Sequence, residues 1–464
     1  KYAHQNIGFE AIDLANGLFR VTNRFYFTNL KKYMVHYSVT ANNKVVRSGK
    51  VSLDIEPQAS KEFTVPVGNL KPQAGTEYFV NFNVTTVEKE PLIPIGHEIA
   101  CDQFRLPIES PKKAFKTSGP KLTVSTNGDN LSASSSKVNF MFNKKTGIVT
   151  SYKVDGTEYF SEGFGIQPNF WRAPTDNDYG NGMPKRLQIW KESSKNFNVT
   201  DATVTMDGNN AVVNVNYLLP AGNLYIVNYT IYPSGAVNVA ARFTSTDMDA
   251  AQTEVSESTR TATFTPGRDA ARKEASKLNV PRIGVRFRLP ASMNQVEYFG
   301  RGPAENYLDR NAGSMVGLYK STAEELYFPY VRPQENGHHT DTRWVSLSTG
   351  KKGLLIQADN TIGFNALRNS IEDFDDEEAT GLSRQWSNFT PEQVANHDEA
   401  AAKNVLRRQH HINDITPRDF VEVCVDLKQQ GVAGYDSWGS RPEPAYTLPA
   451  NREYNWGFTL IPLK

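Results

Sequence analysis

The chain has 464 residues, of which 11% are aromatic and 22% charged, a composition typical of a soluble globular protein with an ample hydrophobic core. Its 51 Lys and Arg residues nearly balance its 50 Asp and Glu residues, and the net charge of +1 excludes a strong attraction for nucleic acid or an anionic membrane. Because of this charge balance, we do not expect nucleic acid as a partner. No apolar run of about 18 residues occurs, so we do not expect a membrane as a partner either.

Cysteine usage gives no sign of a disulfide framework or a metal site. The chain has only Cys101 and Cys424, which lie far apart in the sequence. We therefore expect two buried thiols, and no metal or cofactor bound by this chain.

The first quarter of the chain shows the alternation of apolar and polar residues that half-buried strands require. Residues 33–53 contain two alternating runs around residues 41–44, which predicts a hairpin, and residues 78–86 predict a further strand. We predict a β-sandwich of immunoglobulin-like size over residues 1–108, followed by a linker rich in Pro, Ser and Lys over residues 109–120.

The remainder, residues 121–464, continues the pattern of strands and turns. Residues 226–243 predict a hairpin that turns at residues 233–235, and residues 453–463 read as a closing strand. Because this region is too large for a simple sandwich, we predict an all-β chain whose second domain is an extended pair of antiparallel sheets.

Helix signals are few. Thr322 and Glu325 have the spacing of a capping box, which predicts one turn of helix. Residues 390–401 start with a cap residue and a proline and predict a short helix. Residues 257–278 are polar and predict an inserted loop.

The stretch NFWRAPTDNDYGNGMPKR, residues 169–186, has the Asp, Asn and Gly content of a calcium loop but not its spacing. Counting from Asp176 puts Gly180 at position five and Leu187 at position twelve, where an EF-hand loop carries oxygen ligands. A looser ion site or a plain surface loop stays open, although the bulky pair at residues 171–172 disfavours a mere surface turn.

Two Glu-Asn dipeptides present another alternative. Glu305 and Glu335 could form a glycosidase pair if the fold brought their carboxyl groups to about 5 Å from one another. The surrounding segments are crowded with arginines, which favours ion-paired carboxylates that hold long connections in place. These arginines are Arg301, Arg310, Arg332 and Arg343.

His338 and His339 are adjacent and would point to opposite faces of a strand, an arrangement that does not chelate one metal ion. No serine or cysteine nucleophile motif accompanies them, and the sequence has no phosphate-binding loop and no dinucleotide fingerprint. Residues 169–186 and 431–446 mix aromatic and polar side chains, as a sugar site requires, because sugars offer an apolar face and several hydroxyls.

Four motifs follow one another in the second part of the chain: FWRAPTDNDYG, YFGRGPAENYLDR, YFPYVRPQENGHHTDTRW and GVAGYDSWG. Together they resemble the C-terminal small-chain domain of β-galactosidases of glycoside hydrolase family 2. Residues 1–108 are similar to the immunoglobulin-like domain that precedes it in those enzymes. The resemblance implies that residues 121–464 form a large antiparallel β-supersandwich.

The resemblance also implies that the catalytic parts are missing. The family places its acid/base and nucleophile glutamates, together with its Mg²⁺ ligands, in a TIM barrel that this chain does not contain. The N-terminal residues lack the features of a signal peptide and begin in an apparent strand, which suggests a piece of a longer polypeptide or a separately encoded small subunit. We expect no catalytic residue in this chain and no hydrolysis by it alone. The compartment stays open between the cytoplasm and the periplasm of a bacterium.

For the rim of the active site, the resemblance implies a mobile segment after the RAPTDND motif. In this sequence the segment maps to Gly180, Asn181, Gly182 and Met183, and the two glycines suit a hinge. Asp178, at the end of the anchored motif, is also expected at the rim. The family also has a sugar-stacking tryptophan, whose position here is occupied by Glu422, which cannot stack; Phe420 is the alternative platform.

The remaining motif residues are predicted to form a structural network that anchors these loops. They are Trp171, Arg172, Asp176, Arg301, Glu305, Arg310, Glu335, Asn336, Arg343, Asp436 and Trp438.

We therefore expect the non-barrel portion of a retaining β-galactosidase. Its partners would be a β-galactoside and the catalytic barrel, which is carried by the same enzyme or by a large subunit. Two alternatives stay open: a stand-alone carbohydrate-binding module, and a structural domain that forms homo-oligomers.

Overall fold

The structure, a computed structural model, describes residues 2–89, 91–245, 278–375, 411–436 and 439–463. Its contacts divide the chain into two compact units. The first unit comprises Lys1–Phe115, Arg301–Pro303 and Ala312–Leu318, and the second comprises Lys116–Gly300, Ala304–Asn311 and Tyr319–Lys464. The domain limits read from the sequence stay a prediction.

The first unit is built from two antiparallel sheets around one core. Strands β1, β2 and β5 form one sheet in the order β1-β2-β5, and the other has the order β4-β3-β6-β7. The strands are β1 Ile7–Asp13, β2 Leu18–Asn23, β3 Tyr33–Ala41, β4 Lys44–Val51, β5 Ser60–Thr64, β6 Tyr78–Thr86 and β7 Glu98–Arg105.

Alternation explains this core. Val80, Phe82 and Val84 of β6 all point inward and are buried, and the ring of Phe82 stacks on Phe9 with 4.4 Å between the ring centroids. The predicted hairpin between β3 and β4 is confirmed, as is the strand at residues 78–86. Asn43 adopts a left-handed φ of 72° at the turn, a conformation that asparagine tolerates better than most residues.

The other strands form a five-stranded and a twelve-stranded antiparallel sheet, whose residues belong to the second unit except for 301–302 and 315–318. The smaller has the order β12-β11-β10-β9-β8. The larger runs β13-β18-β23-β22-β24-β17-β16-β15-β14, and β19, β20 and β21 join it through β22. The strands are β8 Thr123–Asn127, β9 Asn130–Ser134, β10 Val138–Asn143, β11 Ile148–Val154, β12 Thr157–Glu158, β13 Gln167–Asn169, β14 Asn198–Asp207, β15 Asn210–Leu218, β16 Leu224–Ile231, β17 Val237–Phe243, β18 Arg282–Pro290, β19 Gln295–Gly302, β20 Met315–Thr322, β21 His339–Ser348, β22 Gly353–Leu367, β23 Phe420–Gln429 and β24 Tyr454–Leu463.

The all-β prediction is confirmed, and so are the hairpin of β16 with β17 and the closing strand β24. The spacing of Thr322 and Glu325 produces both capping-box bonds, at 3.1 and 3.2 Å, around a turn instead of a helix. The helix predicted at residues 390–401 lies outside the described residues, and so does the predicted loop at residues 257–278 apart from its last residue.

Helices are short in the described part of the chain. The α-helices are α1 Asp176–Gly180, α2 Met183–Arg186, α3 Gln188–Lys195 and α4 Ile371–Phe374; the 3-10 turns are Tyr2–His4, Leu30–Lys32, Ser161–Gly163, Ile412–Asp414 and Pro444–Tyr446. Among the described residues no helix has both the length and the apolar character needed to cross a membrane.

One feature of the large sheet positions the candidate site: its central strands are buried on both faces. On β18, Val285, Phe287 and Leu289 face the hydrophobic core, whereas Arg286 and Arg288 between them point to the opposite face. The strand register aligns this second face across β13, β18, β23 and β22. Gln167 of β13 pairs with Arg286 of β18. Further cross-strand pairs on the polar face are Arg286–Cys424, Arg288–Glu422, Gly284–Asp426, Asn365–Cys424 and Leu367–Glu422.

Candidate functional site

Arg282 lies at the centre of the polar face. Strand β18 shifts register between Ile283 and Gly284, and Arg282 at its start is completely buried. Its Nη2 donates to Glu335 Oε1 and to Asn365 Oδ1, both at 2.9 Å. Its Nε lies 3.2 Å from Asp426 Oδ2, so that one guanidinium faces two buried carboxyl groups.

Glu335 is held in this environment through one carboxylate oxygen, Oε1. Its Oε1 also accepts hydrogen bonds from Gln429 Nε2 at 2.9 Å and from Asn365 Nδ2 at 3.0 Å. These donors come from β22 and β23, whereas Glu335 lies in the loop before β21. The carboxylate therefore ties the loop to the sheet.

Burial sets the charge state of the neighbouring groups. It raises the pKa of Asp426 to about 7, although the guanidinium of Arg282 acts in the opposite direction. Neither oxygen of Asp426 has a hydrogen-bond partner among the described residues. Burial, followed by the charge of Arg282, lowers the pKa of His338 well below its usual range, so its ring stays neutral. Burial also raises the pKa of the Cys424 thiol well above its usual range.

The RAPTDND motif forms the second half of the network. Arg172 is completely buried and makes a bidentate pair with Asp178, with Nε–Oδ2 and Nη2–Oδ1 distances of 3.1 and 3.0 Å. The same Asp178 caps α1, because it accepts from the Thr175 backbone N–H at 3.0 Å while its own N–H donates to Thr175 Oγ1 at 3.2 Å.

Gln429 connects the two halves. Its Oε1 accepts from Arg172 Nη1 at 3.3 Å, and its Nε2 donates to Glu335. Arg172 also donates to the backbone oxygens of Gln430 and Gly431, at 2.7 and 3.1 Å. The RAPTDND, RPQENG and GVAGYDSWG motifs therefore meet at the end of β23.

Trp171 and Asn336 hold the adjoining segments. The indole Nε1 of Trp171 donates to Asp375 Oδ2 at 2.7 Å, and Lys191 Nζ lies 2.7 Å from the same oxygen. Asn336 accepts from the Phe328 backbone N–H at 3.2 Å and donates to the Gln334 oxygen at 2.9 Å, which closes the loop between them.

The Glu-Asn dipeptide at residue 305 anchors a loop as well. Glu305 accepts from the Gly337 backbone N–H at 2.7 Å, from Arg310 Nη2 at 3.4 Å and from the Tyr330 hydroxyl. In the same loop, Asp309 accepts from the backbone N–H groups that follow β23, at 3.0 and 2.7 Å.

The other predicted network residues make contacts away from Arg282 and Arg172. Arg301 belongs to the first unit and donates to the Ser314 oxygen at 2.8 Å. Asp176 lies at the surface, 3.5 Å from an Arg332 nitrogen. Arg343 donates to the Asp341 oxygen, and Asp436 accepts from the Ser440 N–H at 3.1 Å. Trp438 lies outside the described residues.

The predicted rim segment is helical where the sequence suggested an irregular loop. Helices α1 and α2 flank Asn181 and Gly182, and Gly182 has a φ of 71°. A Cβ on Gly439 would lie 2.4 Å from the carbonyl carbon of Gly180, so this close backbone contact requires glycine. Asn181 Nδ2 donates to the Ser440 oxygen at 3.3 Å. Asp178, which the sequence also assigned to the rim, is instead buried against Arg172 with 1% of its surface exposed.

The two candidates for the sugar platform are occupied by protein contacts. Glu422 is buried; its Oε2 accepts from Arg288 Nε at 2.9 Å and its Oε1 from the Ile371 N–H at 3.1 Å. The guanidinium carbon of Arg288 lies 4.0 Å from the centroid of the Phe420 ring. Glu422 therefore does not stand free at a rim, because both of its oxygens already have donors.

A recess of about 20 Å³ opens on the polar face between Arg282, Glu335, Asn365 and Glu422. This volume accommodates about one water molecule and is far too small for a sugar. Within the described ranges, no group of three or more His, Cys, Asp or Glu side chains is arranged to hold a metal ion.

The sequence missed Arg282, Asp426, Gln429 and Asp309, all of which hold the network together. For Arg282 and Asp426, the signal is a charged residue at alternate positions of strands that are otherwise apolar, as in RIGVRFRLP and FVEVCVDLKQ. Such strands are half polar and yet buried on both faces, which requires partners for every charge. Gln429, at the end of the second strand, and Asp309, in the loop of the YFGRGPAENYLDR motif, do not follow this pattern.

Comparison with known proteins identifies the family to which the domain around this network belongs. The family model described as β-galactosidase small chain matches residues 134–460, and the model described as β-galactosidase domain 4 matches residues 19–107. Among solved structures, galactose 1-epimerase from Lactobacillus acidophilus aligns with 74% of this chain and 98% of its own, with 7% identity and a TM-score of 0.37. These values are too low to define a shared fold.

Curated relatives carry the same name as the family. The β-galactosidase of Priestia megaterium is 30% identical over 100% of this chain, which spans 39% of that protein. The β-galactosidase of Streptococcus thermophilus is 24% identical over 96% of this chain and 37% of its own length. That of Kluyveromyces lactis is 29% identical over 69% of this chain and 30% of its own length. The resemblance read from the four motifs is confirmed: the chain belongs to the β-galactosidase small-chain family.

Proposed function

We propose that the chain is the C-terminal, non-barrel portion of a retaining β-galactosidase that hydrolyses terminal β-D-galactosides. The observation that carries this proposal is the coverage of the relatives. The whole chain matches the Priestia megaterium β-galactosidase but spans only 39% of it, so most of that enzyme lies outside the matched region.

The chemistry of the described carboxylates supports a non-catalytic role for this portion. A retaining glycosidase needs an acid/base and a nucleophile about 5 Å apart, both able to reach the sugar. Glu335 is buried and holds Arg282, and Glu305 holds Gly337 and Arg310. Both carboxylates serve as anchors, so the catalytic pair and the Mg²⁺ would come from the barrel.

The contribution of this chain would be to shape and close the pocket. The network around Arg282 and Arg172 anchors α1 through Asp178, and the segment from Gly180 to Met183 would form the movable rim. The left-handed backbone of Gly182, with a φ of 71°, supports this role, because a glycine absorbs a change of backbone conformation at little steric cost.

The experiment measures turnover of a chromogenic β-galactoside by the purified chain, produced in a host without its own β-galactosidase. We expect no turnover by the 464-residue chain, because it lacks the reacting carboxylates. Co-expression with the barrel portion of the same enzyme should restore hydrolysis.

The double variant Glu305→Gln/Glu335→Gln distinguishes turnover by the chain itself from turnover by a contaminating enzyme, which the substitutions would not affect. Turnover by the chain alone that this double variant abolishes would contradict the proposal and place the catalytic pair here. Calorimetry with galactose and lactose tests the rival module: a flat response supports the proposal, and saturable binding by the chain alone favours a stand-alone carbohydrate-binding module.

A further inference from the structure

Arg288 is held in an unusual setting on the polar face of the large sheet. Its guanidinium carbon lies 4.1 Å from the centroid of the Phe164 ring and 4.0 Å from that of Phe420. Its side chain remains 22% exposed. Contacts with two aromatic rings fix the orientation of the planar group while its edge stays accessible.

Most of the hydrogen-bonding capacity of this guanidinium is unused. Its hydrogen bond among the described residues runs from Nε to Glu422 Oε2, at 2.9 Å. A guanidinium has five N–H groups, so the four on Nη1 and Nη2 have no protein acceptor in the described chain.

Two neighbouring side chains on this face, Arg286 and Gln167, also have N–H donors without acceptors. Arg286 lies two residues earlier on the same face, with its guanidinium carbon 5.4 Å from the Phe164 ring. Its Nη1 pairs with Glu372 at 2.9 Å, whereas its Nε is buried without an acceptor. Gln167, which pairs with Arg286 across the strands, also has a buried Nε2 without an acceptor.

The unmet groups of Arg288, Arg286 and Gln167 are all N–H donors. Gln167 and Arg286 are only 6% and 7% exposed, and buried donors without an acceptor are rare in folded proteins. Donors alone exclude a cation as the missing partner. A planar guanidinium matches an oxyanion better than a neutral acceptor, since two parallel N–H groups meet two oxygens that carry negative charge.

Charge balance does not oppose an anion here. Arg286 and Arg288 face Glu372 and Glu422, and Arg286 Nη1 lies between these two carboxylates. Each carboxylate is already matched by an arginine, and Arg288 contacts Glu422 through its Nε, which leaves the N–H groups of Nη1 and Nη2 for a ligand. An incoming oxyanion would therefore meet N–H groups first.

We propose that Arg288, supported by Arg286 and Gln167, binds an oxyanion, a sulfate ester or a carboxylate carried by a galactoside. The oxyanion site stands on the geometry alone, and the galactoside as its carrier rests on the proposed function. Arg288 would then select anionic over neutral substrates in the longer enzyme.

Calorimetry on the full 464-residue chain tests the site, with galactose, galactose 6-sulfate, galacturonate and inorganic sulfate as probes at constant ionic strength. We expect galactose 6-sulfate or galacturonate to bind the wild-type chain and Arg288→Gln to weaken that binding about tenfold or more. Which of the two sugars binds distinguishes the sulfate from the carboxylate. Arg288→Lys should weaken binding as well, because a lysine keeps the charge but loses the planar fork.

The matched control is Arg242→Gln. Arg242 is 45% exposed on the same sheet and pairs weakly with Glu453, at 3.9 Å, so this variant should bind like the wild-type chain. Circular dichroism checks that Arg288→Gln keeps its strand content.

Three results would overturn the oxyanion site: no binding of any anionic probe, equal binding by wild type and Arg288→Gln, or equal losses in Arg288→Gln and Arg242→Gln. Arg288-dependent binding of sulfate with no gain from the sugar supports the site and contradicts a galactoside as its carrier. The proposed function fails separately, if co-expression with the barrel gives no β-galactoside hydrolysis.

Discussion

Asp426 is the residue whose charge is most sensitive to its surroundings. Its carboxyl group is fully buried, its pKa is raised to about 7, and its nearest cation, Arg282, is shared with Glu335. In the unfolded chain the same carboxyl group would have a pKa of about 3.9. Between these two values the folded chain binds a proton that the unfolded chain has lost.

This difference predicts how the free energy of unfolding depends on pH. Because the folded pKa is the higher one, the contribution of Asp426 is fully present below about pH 4 and is lost as the pH rises through about 7, by at most roughly 1.4 kcal/mol per pH unit. Asp426→Asn should remove this decline. Urea denaturation of both proteins between about pH 5 and pH 8 measures it as the difference between two stability curves.

The test compares the two curves of unfolding free energy against pH and does not use the wild-type curve alone. Buried His338 stays neutral in the folded chain, so below about pH 6.5 it makes the free energy of unfolding rise with pH, opposite to the effect of Asp426. Asp207→Asn is the control, since Asp207 is exposed at the β14–β15 turn, and its curve should run parallel to that of the wild type. Parallel curves for Asp426→Asn and wild type would refute the prediction.

At the scale of elements, α1 depends on one carboxylate that has two tasks. Asp178 caps the helix through Thr175 and neutralises the buried Arg172. Asp178→Asn keeps the shape but leaves an uncompensated buried cation, so we expect it to lower the free energy of unfolding by about 3 kcal/mol. Denaturation in urea, followed by circular dichroism, measures the loss.

Asp176→Asn is the matched control from the same helix. Asp176 has 59% of its side chain exposed and pairs with Arg332 at the surface, so we expect a change below about 1 kcal/mol. Similar losses in the two variants would show that the buried pair does not hold α1 in place.

Elements with a local pattern could be predicted from the sequence, and elements without one could not. The β3–β4 and β16–β17 hairpins follow from alternation over neighbouring residues. Helices α1 and α2 were missed because their Asn and Gly content resembles a turn, and the capping box at Thr175 has aspartate where glutamate or glutamine is usual.

The candidate site divides in the same way. Arg172 and Glu335 could be selected as network residues, because each stands in a conspicuous motif. Their shared partner Gln429 could not, since the link depends on the register of β18 against β23 and on the shift at Ile283. Register across such a sheet is a property of the fold that no local pattern carries.

At the scale of the whole molecule, each compact unit contains one cysteine, and neither cysteine is in a disulfide. Cys101 on β7 is half-buried in the first unit. Cys424 on β23 is 3% exposed in the second unit, and burial raises the pKa of its thiol well above the usual range. Alkylation can therefore report on each unit separately.

We expect Cys101 to react with iodoacetamide in the native chain and Cys424 to react about a hundredfold more slowly or less, because the thiolate is the reacting form and β23 must first open. In rising urea, modification of Cys424 should appear with the loss of strand signal from the large sheet. Mass spectrometry of digested samples measures both sites. Cys101→Ser leaves Cys424 as the sole thiol and should give the same Cys424 rate, whereas rapid modification of Cys424 in the native chain would contradict the buried polar face on which the candidate site depends.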